Sequence, residues 1–202
     1  AAKKELRKEF SEIVPALKSQ IDATWLMALA RVHPKKGQDH LIRMWGALPE
    51  SSRRKSLLLF VGPETAAGEV KRLREILSHV PDRDRVIFVG STQTPVRWLQ
   101  SADVYLSASE YEGMPLAPIE ACGAGLPVVL SDIQGHQVLK DQAWLFDFSK
   151  PEDIARAVST CLVQRDSDPA GFANSCAKSM EKIQSLYSIS KMTGQYYDIY
   201  SR

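Results

Sequence analysis

The chain has 202 residues, of which 44% are hydrophobic and 25% charged, with 26 basic and 24 acidic side chains. That length suits one large domain or a tight pair, with a core that needs no staples. Ordinary Gly and Pro usage excludes collagen and disorder. The near-neutral charge leaves no nucleic-acid footprint, and the longest apolar runs (25–30, 57–62 and 126–130) fall far short of the ~20 residues of a membrane span.

Strand and helix signals alternate along the chain. Residues 3–18 set Phe10, Ile13, Val14 and Leu17 at helical spacing, which predicts an amphipathic helix. Its Lys3, Lys4, Arg7 and Lys8, interrupted by Glu5 and Glu9, read as a solvated face rather than a membrane patch. Residues 24–30 are a continuous apolar run, consistent with a buried strand. Residues 37–48 carry Leu41, Met44, Trp45 and Leu48 on one helical face, and 56–61 form the next buried strand, closed by Gly62-Pro63. A helix follows over 64–80 with Val70, Leu73, Ile76, Leu77 and Val80 inward, then a strand over 85–89 ending at Gly90. Residues 95–100 predict a short helix, 103–106 a short strand, 115–124 a helix, 127–130 a strand and 144–146 a last short strand. Two helices close the chain, one over 151–164 and one from Pro169 to about Tyr187 or beyond, striped by Phe172, Cys176, Met180, Ile183 and Tyr187.

Strands rich in Val, Ile and Leu without polar alternation are buried on both faces, and helices sit between them. The expected fold is therefore α/β, a doubly wound parallel sheet of Rossmann-like type, with residues 1–202 forming one domain. In such a sheet ligands bind beyond the carboxyl ends of the strands, so the loops near Arg31, Gly62, Gly90, Ser107 and Ser131 carry the interest.

The first of these loops reads Arg31-Val32-His33-Pro34-Lys35-Lys36-Gly37. Arg31 offers a planar fork and Lys36 a mobile point charge, a pairing suited to a diphosphate, and Gly37 permits close backbone approach. A solvated basic loop has the same composition. The loop after the fourth strand contains Glu112-Gly113-Met114-Pro115-Leu116 and leads to Glu120. Pro115 fits a first helical position, and free N–H groups near Gly113, Met114 and Leu116 would then face an anion with help from the helix dipole. Carboxylates at a strand's carboxyl end can accept hydrogen bonds from vicinal hydroxyls such as those of sugars and riboses. A dipole-complementing Glu112 and a solvated Glu120 are the plainer readings.

Taken in order, Arg31…Lys36-Gly37, Phe88-Val89-Gly90, Ala102-Asp103-Val104, Glu112-Gly113-Met114-Pro115-Leu116…Glu120-Ala121 and Gly125-Leu126-Pro127-Val128-Val129 form one string. It resembles the C-terminal, donor-binding domain of the family 4 type of retaining glycosyltransferase, the C-terminal half of a GT-B fold. The resemblance implies that Arg31 and Lys36 hold the diphosphate of a nucleotide sugar (UDP-, GDP- or ADP-linked) and stabilise the leaving charge. It implies that Glu112 contacts the donor sugar's hydroxyls and Glu120 the ribose. Backbone of Gly113, Met114 and Leu116 would contact sugar or phosphates, Gly37 would line the donor site, and Gly90 and Ser91 would border the base. The implied enzyme is a retaining, hexosyltransferase-like catalyst that needs no metal or other cofactor. It would transfer sugar to an acceptor bound by an N-terminal domain that this chain lacks.

Ala1 in place of Met reads as the cut edge left by removing that domain, so this chain alone is expected to bind donor and to be largely inactive. Residues 169–202 would be the closing helices, with Met192, Tyr196 and Tyr200 either covering the missing domain or packed on this domain's own core. The resemblance also departs at one place: where the family commonly has Gly-Gly followed by Glu, this chain reads Gln134-Gly135-His136-Gln137, and His136 reads as a loop residue.

Cys122, Cys161 and Cys176, odd in number and without CxxC spacing, point to reduced thiols. A cytoplasmic location follows, with any peripheral membrane contact made through the missing domain. Asp82-Arg83-Asp84 and Asp166-Ser167-Asp168 have the DxD form but sit away from carboxyl strand ends and read as surface turns. A sugar-nucleotide epimerase, a phosphorylase half or a non-catalytic nucleotide-binding module are the alternative functions on this architecture.

Overall fold

The computed structural model describes residues 2–201. Its strands are β1 (Thr24–Leu29), β2 (Ser56–Val61), β3 (Val86–Gly90), β4 (Val104–Ser107), β5 (Val128–Ser131) and β6 (Ala143–Phe146). They form one sheet in the order β3-β2-β1-β4-β5-β6, and every neighbouring pair is parallel. Its helices are α1 (Ala2–Ile13), α2 (Gln38–Ala47), α3 (Glu50–Arg53), α4 (Glu69–Leu77), α5 (Pro95–Ser101), α6 (Leu116–Gly123), α7 (Pro151–Ser167), α8 (Pro169–Tyr187) and α9 (Ile189–Tyr200). The doubly wound, Rossmann-like sheet is therefore as the hydrophobic pattern predicts.

Alternation along the strands feeds two separate cores. On β1, Leu26 and Ala28 face one side with Leu41, Trp45, Leu73 and Val158 from α2, α4 and α7. Trp25, Met27 and Leu29 face the other with Phe10, Trp98, Ile119 and Ile183 from α1, α5, α6 and α8. Each fully buried large side chain contributes roughly 1.5–3 kcal/mol by leaving water. Cys161 and Cys122 sit inside these two cores, one in each, and burial pushes their thiols up, to about 12 and about 11. All three cysteines are free.

Several boundaries differ from expectation, each for a local reason. The first helix stops at Ile13 because Pro15 disfavours a helical residue before it: Val14 takes φ −120° and ψ 89°, and a 3₁₀ turn continues over Pro15–Gln20. α4 begins at Glu69 rather than at 64, after Gly68 at φ +80°, and the Glu64 carboxylate reaches forward to accept from the Val70 amide at 2.9 Å. α6 begins at Leu116, so Pro115 is the residue before the helix and not its first residue. The 3₁₀ turn Gln134–Leu139 and the short α3 had no signal in the sequence reading.

The reading of the first helix's cations as a solvated face fails for Arg7. Its side chain is buried and donates to the carbonyls of Ser101, Ile21 and Ala23 at 2.8–3.0 Å and to Asp103 at 2.6 Å. Asp103 also accepts from the Trp25 amide at 2.8 Å. Burial would raise the Asp103 carboxyl, but the charges of Arg7 and Lys3 outweigh that and hold it below the ordinary carboxylate value. This pair ties α1 to the amino ends of β1 and β4.

The DxD segments are structural. Asp82 pairs with Arg53 at 2.9 Å, and Asp168 caps α8 by accepting from the Gly171 amide at 3.0 Å. At the end of the chain, helix breaks at Ser188 and resumes as α9, capped by the Ser188 hydroxyl. Met192, Tyr196 and Tyr200 are exposed, so the alternative that packs them on this domain's own core is overturned.

Candidate functional site

The chain runs β1, β2, β3 outward in one direction and β4, β5, β6 in the other, so the strand order reverses between β1 and β4. Loops leaving a parallel sheet at such a point part company and open a crevice at the carboxyl ends. The β1 and β4 loops carry the residues singled out by their chemistry.

The β1 loop is rigid backbone. His33 opens a 3₁₀ turn over Pro34–Lys36, its Nδ1 accepting from the Lys35 amide at 3.2 Å. Gly37 then turns at φ +65°, and a Cβ there would lie 2.0 Å from the Ala108 carbonyl oxygen at the end of β4. Only glycine fits. The close approach it permits is of β4's own backbone, and the Glu110 amide donates across to the Lys35 carbonyl at 3.1 Å. The two loops are thereby held against each other.

That docking brings Lys36 to Glu112. Nζ and Oε1 are 2.6 Å apart, with side chains 20% and 14% exposed. Ser109 Oγ donates to the same Oε1 at 2.7 Å. Both contacts use one carboxylate oxygen, and an ammonium has three donors, so the pair retains capacity for further partners. Arg31 is exposed, and among the described residues no carboxylate pairs with it. Glu120 is exposed on α6, beside a groove walled by Ile119, Ile183 and Tyr187.

Of the other predicted site residues, Gly113, Met114 and Leu116 are exposed at the start of α6. The Leu116 amide is not free as expected, because it donates to the Met114 carbonyl at 3.0 Å. The amides of Gly113 and Met114 have no protein acceptor among the described residues. Gly90 is exposed at φ +87° with open space where a Cβ would be, and its carbonyl accepts from the Gly62 amide at 2.8 Å. Ser91 is exposed beside it.

The sequence reading missed the third wall. Gly135 is buried against Glu112: a Cβ there would lie 2.3 Å from the Glu112 carbonyl oxygen and 2.7 Å from its Cβ. His136, expected as a loop residue, is fully buried. Its ring loses basicity chiefly through burial, opposed by the Ser131 carbonyl and the charge of Glu112 and reinforced by Lys36. The Gly135-His136 pair after a Val-Val-Leu strand was the available signal. Among the described residues, no group of three or more His, Cys, Asp or Glu is placed to hold a metal ion, and no helix is long and apolar enough to cross a membrane.

Comparison with known proteins decides the family. The family model "Glycosyl transferases group 1" matches residues 10–191. The chain belongs to the group 1 glycosyltransferases. An uncharacterized glycosyltransferase of Methanocaldococcus jannaschii is 28% identical over 150 residues, 71% of this chain and 37% of its own length. The serotype-specific mannosyltransferase WbdA of Escherichia coli is 29% identical over 144 residues, 65% of this chain and 16% of its own. Among solved structures, Anabaena HepE in complex with UDP and glucose superposes with a TM-score of 0.82 at 18% identity, over 98% of this chain and 52% of that one. This glycosyltransferase domain thus has a Rossmann-like fold similar to that in GT-B enzymes. It spans about half of that solved chain, and at most 37% of the two curated relatives named.

Proposed function

We propose that this glycosyltransferase domain binds the nucleotide-sugar donor of a retaining, family 4-type enzyme. The observation that carries the reading is the meeting of Lys36 and Glu112 at the reversal of strand order, with Arg31 exposed on the same loop as Lys36. A diphosphate needs fixed cations, and a sugar needs a carboxylate acceptor for its hydroxyls. Here the two lie 2.6 Å apart, so the diphosphate and the sugar of one ligand can reach both.

In this reading Arg31 and Lys36 grip the diphosphate and Glu112 accepts from the sugar. Gly113 and Met114 amides face the phosphate–sugar junction, with Leu116 and Gly37 lining it. Glu120 takes the ribose hydroxyls, and Gly90 and Ser91 border the base. When the anomeric C–O bond breaks, the electron pair passes to the diphosphate. Arg31 and Lys36 stabilise the charge that grows there, which is where preorganised cations lower a barrier. The acceptor hydroxyl attacks the same face and its proton leaves to the diphosphate. These steps ask for no metal, since the cations replace it. HepE, solved with UDP and with UDP-glucose, supports a uridine donor among the UDP-, GDP- and ADP-sugar choices.

Because the domain covers only part of its relatives, the acceptor site belongs to an N-terminal domain outside this chain, and the isolated domain binds without transferring. A cytoplasmic site, where nucleotide sugars are made, completes the proposal. The epimerase alternative would need an acid–base pair or a cofactor lysine, for which no strong candidate stands out among the described residues. Calorimetry with UDP-, GDP- and ADP-glucose tests the reading: one of them should bind the folded domain, and binding by none would overturn it.

A further inference from the structure

The turn between β5 and β6 adds a residue to which no role has yet been given. His136 Nδ1 lies 2.8 Å from the Ser131 carbonyl oxygen and 3.2 Å from Ser131 Oγ. A carbonyl only accepts, so Nδ1 carries the ring proton and donates it to Ser131. The Ser131 hydroxyl places its own hydrogen on the Ser109 carbonyl at 2.6 Å. The Ser109 hydroxyl donates in turn to Glu112 Oε1 at 2.7 Å. The donors run from the histidine toward the carboxylate, and the series passes through Ser109 itself, whose carbonyl accepts from Ser131 and whose hydroxyl donates to Glu112. Gly135, the neighbour of His136, is packed on the Glu112 backbone as well.

The other ring nitrogen, Nε2, is buried and has no partner among the described residues. An orphaned buried nitrogen costs stability that an apolar side chain of like size would not. Filling space is therefore a poor account of a histidine here. The Nδ1 donor accounts for it, because Leu cannot supply one.

We propose that His136 is a positioning residue for Glu112, orienting its carboxylate through Ser131 and Ser109 for the hydroxyls of the donor sugar. The proposal rests on reading Glu112 as the sugar-binding carboxylate. The series ends on the carboxylate assigned to the sugar, one bond short of Lys36, so its loss should be felt more by the sugar than by the nucleotide.

The test compares UDP with UDP-glucose (or the GDP or ADP pair, if calorimetry selects it) on the chain as it stands. The ratio of their Kd values measures what the sugar adds. His136→Leu should cut that ratio roughly tenfold, the scale of one misaligned hydrogen bond, while the UDP Kd stays within about twofold. Ser131→Ala, a milder change, should reproduce the loss, and combining the two should add nothing. His136→Asn, whose amide nitrogen can take the place of Nδ1, should restore the ratio. A purely structural histidine would instead lower Tm and leave the ratio alone, or weaken UDP and UDP-glucose equally, and either result would overturn the proposal. So would an Asn variant that behaves like Leu.

If the wild type binds neither nucleotide, or gains nothing from the sugar, the donor reading fails and the relay is judged separately. The ¹³C shift of the Glu112 carboxylate should then move in His136→Leu and not in His136→Asn. No movement in either variant would overturn the relay.

Discussion

Two ion pairs of the same length, 2.6 Å, sit at opposite ends of β1 and β4, and they are built differently. At the amino ends, Arg7 engages three backbone carbonyls besides Asp103, and Asp103 is filled by Arg7, Lys3 and the Trp25 amide. At the carboxyl ends, among the described residues, Lys36 meets only Glu112, and Glu112 accepts at one oxygen. A saturated pair can only hold the chain together. An unsaturated one has bonds left for a ligand. The contrast separates a pair whose bonds are used up within the chain from one with bonds to spare, without reference to any relative.

Substitutions can break that distinction. Arg7→Ala should be the most damaging, costing about 3–5 kcal/mol of unfolding free energy because it takes the guanidinium from a half-buried carboxylate and the donor from three carbonyls. Urea denaturation measures it, and a loss below about 1 kcal/mol, the scale of an exposed pair, would show that Arg7 is not the clamp described. Lys36→Ala should do the reverse. Stability should fall by less than in Arg7→Ala, because no backbone carbonyl loses its donor and Glu112 keeps its bond from Ser109. Affinity for a nucleoside diphosphate should fall by about 1.5–3 kcal/mol, the range for a charged hydrogen bond, while affinity for the nucleoside is unchanged. Equal weakening of nucleoside and diphosphate would remove Lys36 from its assigned place.

A smaller effect comes from acid. The neutral form of His136 is favoured in the folded chain, so its folded pKa lies below the unfolded value near 6.5. Its contribution is therefore complete above about pH 6.5 and is lost as pH falls below that toward the depressed folded value. Glu112 opposes this loss and Lys36 adds to it. Urea midpoints between about pH 7.5 and 5.5 should decline in the wild type and decline less in His136→Asn. Identical slopes would mean that another group carries the titration. Least of all should come from Lys3→Ala. Lys3 is 45% exposed beside Asp103, and exposed pairs are worth less than about 1 kcal/mol, so its removal should barely move the midpoint.

The same contrast explains what could be read from the residues in advance. The buried strands and the doubly wound sheet were legible because continuous Val, Ile and Leu runs between helical patterns have few other solutions. Ser56–Val61 fell on its predicted bounds. Lys36 and Glu112 could be named because each lies on a loop at a carboxyl strand end. Arg7 could not, since its partner Asp103 is 96 residues away and nothing local separates a buried guanidinium from a solvated one. His136 escaped for the same reason: its three links run through two strand ends, and a histidine in a polar turn looks exposed until the neighbouring strand is placed. Pro15, by contrast, was a local signal that the helical periodicity around it overrode.

The contact between Gly37 and Ala108 has a consequence for how wide the mouth of the crevice can be. With 2.0 Å between a hypothetical β-carbon and the Ala108 oxygen, the separation of the two loops is set by one missing methyl group. An alanine would act as a shim, levering the Lys36 turn off the end of β4 and carrying the ammonium away from its carboxylate. Reach across the crevice is thus controlled from beneath by the smallest residue in the molecule, and the charged groups above it inherit their spacing.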